Sequence, residues 1–332
     1  MMSQRKWNSM KRWSTKDLYT LTPPADGRPG DAILTFTDRY SVFDFGVMPD
    51  EIPGKGRATC AMAVKSFGLL HDAGIPTHFL EQVSDNAIRV KLLDIDLEGR
   101  RARTGPGGMI PLQVVYRNAL PRESSVHRRV AAGRLDAALV PDRREPGSPW
   151  LAETMVEFTT KFEETDRFVT RTEAAAVGRI EDEDIAAIVK RAQQLAALLT
   201  AHCASTGMQL VDGKAEFGFD ETGTPIVIDH AGTPDENRFY YDGVPVCKEL
   251  LRHLHPGLRE VVQSCVRDGL PRANWPRPEP LARTTIAAVS EVYAALTDVW
   301  TTPGDPARRR LTAAVREFTD ATGARLEERT GL

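Results

Sequence analysis

Between Leu210 and Asp229 the chain carries the side chains best suited to hold a charged substrate. In the run Leu210-Val-Asp-Gly-Lys-Ala-Glu-Phe-Gly-Phe219 ionisable and apolar residues alternate. In an extended strand Asp212, Lys214 and Glu216 therefore share one face, and Ala215, Phe217 and Phe219 take the other. Asp220-Glu-Thr-Gly-Thr224 reads as a turn, and residues 225–229 return as a second strand. A turn centred on Thr222-Gly223 predicts Glu216 opposite Asp229, Phe217 opposite Ile228 and Phe219 opposite Ile226. Two carboxylates placed opposite each other repel. A hard divalent cation, shared with substrate phosphates, would neutralise them. A solvated outer face on which Lys214 balances one acid would do so too, and the pattern alone leaves both readings open.

Other groups suit a phosphate. Arg117-Asn118, the run Arg122-Glu-Ser-Ser-Val-His-Arg-Arg129 and Asn237-Arg238 supply hydroxyls and guanidiniums, whose planar fork grips phosphate in a bidentate way. Taken singly, each arginine is more readily a surface charge. Gly54-Lys-Gly56 lacks the full phosphate-loop pattern and reads as a turn whose lysine can face a cleft. His253 and His255 are two residues apart, which sends helical rings to different faces, so a surface pair is expected rather than a metal pair. The four cysteines show no C-x-x-C spacing, and no G-x-S-x-G elbow occurs. Zinc clusters, a disulfide framework and acyl-enzyme chemistry find no support, and a reducing cytoplasm is the expected setting.

Positioning these groups requires a mixed scaffold. Residues 32–36 and 87–93 read as strands, with a helix over 59–72 between them. The turn cluster Gly105-Pro-Gly-Gly108 precedes an apolar strand over 109–116, and a lobe boundary is expected there. Residues 183–206 form the clearest helix, with Ile185, Ile188, Val189, Ala192, Leu195 and Leu199 on one face and Gly207 just beyond its end. Four prolines within 271–280 predict an extended connector. Leu311, Val315 and Phe318 predict a terminal amphipathic helix that docks on the body or on a second subunit. A length of 332 residues favours more than one lobe. The expected division is 1–108, 109–252 and a helical region over 253–332. A net charge of −3 excludes a general basic field for nucleic acid or anionic membranes. No run is long enough to span a membrane, and the basic start has no apolar segment after it, so no export signal is expected.

Nine pieces in order, from about Trp13 to Arg252, resemble the SAICAR synthetase (phosphoribosylaminoimidazole-succinocarboxamide synthase) family. They are Lys16-Asp-Leu-Tyr19, Thr37-Asp-Arg-Tyr-Ser-Val-Phe-Asp44, Ile52-Pro-Gly-Lys-Gly56, Gly74-Ile-Pro-Thr77, Val114-Val-Tyr-Arg-Asn118, Ser124-Ser125, Thr160-Lys-Phe-Glu163, the strand ending at Gly218, and Ile228-Asp229 followed by Thr233-Pro-Asp-Glu-Asn-Arg238. The resemblance implies a two-lobed α+β fold, related to ATP-grasp proteins, with antiparallel sheets and a C-terminal helical extension. It implies an ATP-dependent ligase, using Mg²⁺, that joins the carboxylate of an aminoimidazole ribotide to the amine of aspartate through an acyl phosphate. Carried over, Glu216 and Asp229 hold the metal and with Lys214 form the catalytic set. Lys16, Met109, Leu112, Gln113, Asp212 and Lys214 surround the nucleotide. Asp38, Lys55, Arg117, Ser124, Ser125, Lys161, His230 and Arg238 face the substrates, with Arg117, Ser125 and Arg238 on the 5′-phosphate.

Departures from the family pattern are Trp13-Ser14 in place of Gly-Lys, Gln113 and His230 in place of acids, and Glu236-Asn237 in place of small serines. They motivate two alternatives: a ligase of the same chemistry acting on another carboxylated heterocyclic nucleoside or nucleotide, and a non-catalytic nucleotide-binding relic. The expected partners are small molecules, with neither nucleic acid nor membrane, and a homo-oligomer stays open.

Overall fold

Ala32, Leu34 and Phe36 are buried while Asp31, Ile33 and Thr35 are half-buried, the period-two signature of a strand with one face on a core. This strand, β3 (Gly30–Phe36), is the centre of the first sheet in a computed structural model that describes residues 10–163 and 166–324. Its partners are β1 (Met10–Arg12), β2 (Lys16–Thr22), β4 (Phe79–Ser84) and β5 (Ala87–Leu92), in the order β1-β2-β3-β5-β4, all antiparallel. Helix α1 (Lys55–Asp72) lies between β3 and β4 in the chain. It starts earlier than its apolar period suggests because the Asp38 carboxylate accepts from the Gly54 and Gly56 amides, at 3.0 and 2.8 Å, and satisfies its first turn.

The second sheet contains β6 (Met109–Ala119), β7 (Trp150–Thr160), β8 (Phe168–Val169), β9 (Gln209–Phe219), β10 (Pro225–Ile228), β11 (Asn237–Tyr241) and β12 (Val244–Pro245). Its order is β12-β11-β9-β6-β7-β8, with β10 also paired to β9, and again every pairing is antiparallel. The chain passes through α2 (Ser125–Ala131), α3 (Arg171–Gly178) and the long α4 (Asp182–Thr206) between these strands. Three acids in its first turn and a left-handed Gly207 cap bound α4, and its predicted apolar face is buried. After β12 come α5 (Glu249–His253), α6 (Leu258–Arg267), α7 (Arg283–Thr301) and α8 (Asp305–Thr322). The fold is thus α+β with antiparallel sheets.

One apolar core runs from Leu34 and Phe67 through Phe217 and Leu195 to Trp300 and Phe318. The terminal helix therefore docks on the body of its own chain, where Leu311, Ala314 and Phe318 are buried. The proline-rich segment forms only a short 3₁₀ turn, Arg272–Asn274, as its missing N–H groups require. His255 corrects the expectation of a surface pair: it is buried, and its Nε2 lies 2.9 Å from the Tyr40 hydroxyl. Among the described residues no helix is long and apolar enough to cross a membrane. The basic stretch over residues 1–9 lies outside the described residues.

Candidate active site

Two different strands share one edge of β9. Its N-terminal half pairs with β11 and its C-terminal half with β10, so residues 229–236 leave the sheet as a loop between them. The Lys214 amide donates to the Glu236 carbonyl at 3.0 Å and closes the gap. The hairpin register differs from expectation by one residue: Glu216 lies opposite Ile228, Phe217 opposite Val227, and Phe219 opposite Pro225. Asp220 pairs with Thr224 across a three-residue loop ending in a left-handed Gly223, which is a wider turn than the two-residue one assumed. Val227 consequently joins Phe217 in the core, and Ile226 and Ile228 form a separate cluster with Leu93 and Met109.

Asp229 still reaches the site face, by another route. Its backbone is left-handed, φ 65°, a conformation uncommon outside glycine. That turn ends β10 and redirects the side chain. His78 supports it, donating from Nε2–H to the Asp229 carbonyl at 2.8 Å while its own amide donates to Val227. Burial holds the His78 imidazole down to about 4, so it is neutral at physiological pH.

Three ammonium groups balance three acids here. Lys16 at the start of β2 pairs with Asp229, Lys161 just past β7 pairs with Glu216, and Lys214 lies 3.1 Å from Glu236. The lysines come from both sheets, so the site lies between them. Burial and the neighbouring Asp229 charge push the Glu216 carboxyl up. Burial acts in the same sense on Asp229, but Lys16 and Lys161 outweigh it and hold that carboxyl well below its usual range. Burial alone would lower Lys214, yet Glu236 and Glu216 keep its ammonium above the ordinary lysine value. A carboxylate pair enclosed among three ammonium groups is a site for compact charge. The oxygen donors of Glu216, Asp229 and Glu236 suit a hard divalent ion.

The three residues expected on a phosphate come together around Asp212. Arg117 Nη1 and Arg238 Nε approach its carboxylate at 3.2 and 3.4 Å, and Arg117 Nη2 lies 3.4 Å from Ser125 Oγ. Arg117 also donates to Glu157 at 2.9 Å, and Arg129, stacked on Phe168, bonds the same carboxylate at 2.7 Å. Arg238 is the more open of the two, 24% exposed against 8% for Arg117. Ser124 caps α2 by accepting from the Val126 amide.

Gln113 and Arg117 stand opposite Glu216 and Asp212 on the site face. Leu112 does not: alternation turns its side chain into the core with Val114 and Tyr116, so only its main chain is available to a nucleotide. The β6–β9 ladder shifts between Met109 and Gln113, along the segment the resemblance assigns to the nucleotide. Two further expectations change. Lys55 begins α1 instead of a turn, and its ammonium is enclosed, 1% exposed and 2.6 Å from Asp235. Asp38, half-buried, caps that same helix through both carboxylate oxygens.

Sequence reasoning missed His78, Glu157 and Asp235, and it offered Arg129 to a phosphate where the structure pairs it with Glu157. Glu157 had a signal, a lone acid in the apolar run Met155-Val-Glu-Phe158, which becomes the buried end of β7. His78 had none, since its role depends on where the β10 end arrives.

Residues 12–254 match the family model of SAICAR synthetase. The chain belongs to the SAICAR synthetase family. An Archaeoglobus fulgidus chain provisionally named phosphoribosylaminoimidazole-succinocarboxamide synthase is 34% identical over 261 residues, 73% of this chain and 78% of its own. The synthase of Thermoplasma volcanium is 29% identical over 280 residues, 80% of this chain and 91% of its own. Among solved structures, a SAICAR synthetase in complex with ADP superposes with a TM-score of 0.58 at 26% identity, covering 82% of this chain and all of the other. As a SAICAR synthetase the chain is an ATP-dependent carbon–nitrogen ligase that joins an aminoimidazole ribotide carboxylate to aspartate.

Proposed function

We propose that Glu216 and Asp229 hold the Mg²⁺ of MgATP, and that Lys16, Lys161 and Lys214 neutralise the phosphoryl group in transit. The observation that carries this reading is the convergence of both carboxylates and all three ammonium groups between the two sheets. The ribotide carboxylate attacks the γ-phosphorus and ADP leaves, giving an acyl phosphate. The aspartate amine then attacks the acyl carbon, loses a proton and expels phosphate. Such a transfer needs charge placed in advance and little covalent help. The ion, when bound, supplies further positive charge to the β- and γ-phosphates. The lysines supply positive charge that their carboxylate partners already bring to the site. Arg238 with Ser125 takes the 5′-phosphate, and Arg117 orients Asp212 between them. Residues 1–108 then contribute Lys16 to the nucleotide phosphates, residues 109–252 the acids, the other nucleotide contacts and the ribotide contacts, and residues 253–332 their support.

The test is ADP release with carboxyaminoimidazole ribotide, aspartate and MgATP. Glu216→Gln and Asp229→Asn are each expected to lose about 100-fold or more in kcat, read on protein shown by circular dichroism to be folded, since each change leaves Lys161 or Lys16 without its enclosed carboxylate partner. Undiminished turnover in either variant removes that residue from the metal site.

A further inference from the structure

The loop over residues 229–236 carries a nitrogen donor that the carboxylate pair does not use. The His230 side chain is 1% exposed, and its Nδ1 lies 2.7 Å from Thr233 Oγ1. Thr233 is itself fixed, since its amide donates to Asn237 Oδ1 at 3.2 Å and the Asn237 amide group is held by the Tyr116 hydroxyl. In the tautomer that donates Nδ1–H to Thr233, Nε2 offers its lone pair beside two acids, 4.0 Å from Asp229 Oδ1 and 3.8 Å from Glu236 Oε1. Both separations are too long for hydrogen bonds. One donor atom each from Asp229, His230 and Glu236 lies within 4.8 Å of the others. An enclosed imidazole, anchored at one nitrogen and unpaired at the other among carboxylate oxygens, has the arrangement of a histidine ligand with its outer hydrogen bond in place.

We propose that Asp229, His230 and Glu236 form a mixed nitrogen and oxygen site that selects a first-row transition ion such as Mn²⁺ over Mg²⁺. The proposal rests on the reading of Asp229 as a metal ligand. Mg²⁺ keeps to oxygen donors and near-ideal octahedral geometry, whereas an imidazole beside carboxylates favours first-row transition ions, Mn²⁺ the least strongly among them and so the most demanding probe. The ion competes with Lys16 for Asp229 and with Lys214 for Glu236, and both ammonium groups are then free to turn to an anionic ligand. Asp229 stands at the junction of this triad with Glu216, so an ion here sits next to the phosphoryl-transfer centre.

The probe is Mn²⁺ alone, added to the full chain at neutral pH and read by pulsed EPR and by equilibrium titration against Mg²⁺. The parent should show strong coupling to a directly bound nitrogen. His230→Gln should abolish that coupling and weaken Mn²⁺ about tenfold, with Mg²⁺ affinity changed less than about twofold. Mn²⁺ bound to the parent without nitrogen coupling overturns the proposal, as does failure of the parent to bind Mn²⁺, and neither result depends on a variant folding. An unchanged Mn²⁺-to-Mg²⁺ preference in a folded His230→Gln overturns it as well. Asp229→Asn separates the two levels: if it weakens Mn²⁺ while nitrogen coupling is missing from the parent, Asp229 remains a ligand and only the triad fails. If it leaves Mn²⁺ binding intact, the underlying metal reading fails.

Discussion

Arg117 is gripped by Glu157, Asp212 and Ser125 at once, and its guanidinium is almost wholly enclosed. Breaking one partner out of a buried ion pair leaves an uncompensated charge and costs about 3–5 kcal/mol. Arg117→Ala is therefore expected to lower stability by about that amount in denaturant unfolding, since Glu157 keeps only Arg129. Arg238 faces the cleft more openly and has Asp212 as its ion-pair partner. Arg238→Ala should change stability little and raise the KM for the ribotide about tenfold or more, leaving the KM for ATP near the parent value. Equal effects on both substrates would remove Arg238 from the phosphate. Arginine identity was plain in the sequence. The division of labour between the two was not, because it follows from how many carboxylates surround each guanidinium.

At the scale of elements, the loop after β5 is tied to the end of α3 through Asp96. Its carboxylate accepts from the Arg101 and Arg100 amides, at 2.8 and 3.1 Å, and from Arg179 Nη1 at 3.0 Å. The Arg101 amide foremost, with Arg100 and Arg179, holds the carboxyl down to about 2 against the effect of burial. A carboxyl with a depressed folded value adds stability above its unfolded value and loses it as pH falls through the folded one. Asp96 should thus contribute at neutral pH and lose that contribution between about pH 4 and pH 2. Asp96→Asn is expected to melt lower at pH 7 and to show a flatter melting profile across that acid window. An unchanged slope would mean that Asp96 titrates alike in both states. Strand alternation made the faces of β9 legible from Asp212 onward. The hairpin register was not, because a three-residue loop shifts the pairing by one and only the Asp220–Thr224 hydrogen bond reveals it.

Over the whole molecule, the C-terminal helices support the candidate metal loop. Gly232, left-handed at φ 66°, is packed so closely that a Cβ would fall 2.1 Å from Ser66 Oγ on α1 and 3.0 Å from Trp300 on α7. Trp300 is fully buried, donates from Nε1 to Ser66 Oγ at 3.2 Å, and packs on Phe239 and His202. Trp300→Ala removes this support from below the loop over residues 229–236. The expected loss is about 3–5 kcal/mol in denaturant unfolding, together with weaker divalent-ion binding in the fraction that stays folded. Parent-like stability would show that the loop stands without α7.

By itself the sequence determined the local chemistry. The period-two run from Asp212 to Phe219 had to separate charge from apolar surface, and the 3.6-residue period of residues 183–206 had to bury one helix face, because both follow from backbone geometry. The ordered motifs pointed to the family by resemblance, which is a different kind of evidence from backbone periodicity. Which acids meet which cations was decided by tertiary structure. Lys16 and Asp229 are 213 residues apart, and Lys55 and Asp235 180, so no local pattern couples them. The left-handed turn at Asp229, its support by His78 and the packing of Gly232 on Trp300 exist only where distant segments close on one another. Charge pairing in a buried cleft depends on distance and desolvation, and both are properties of the folded chain.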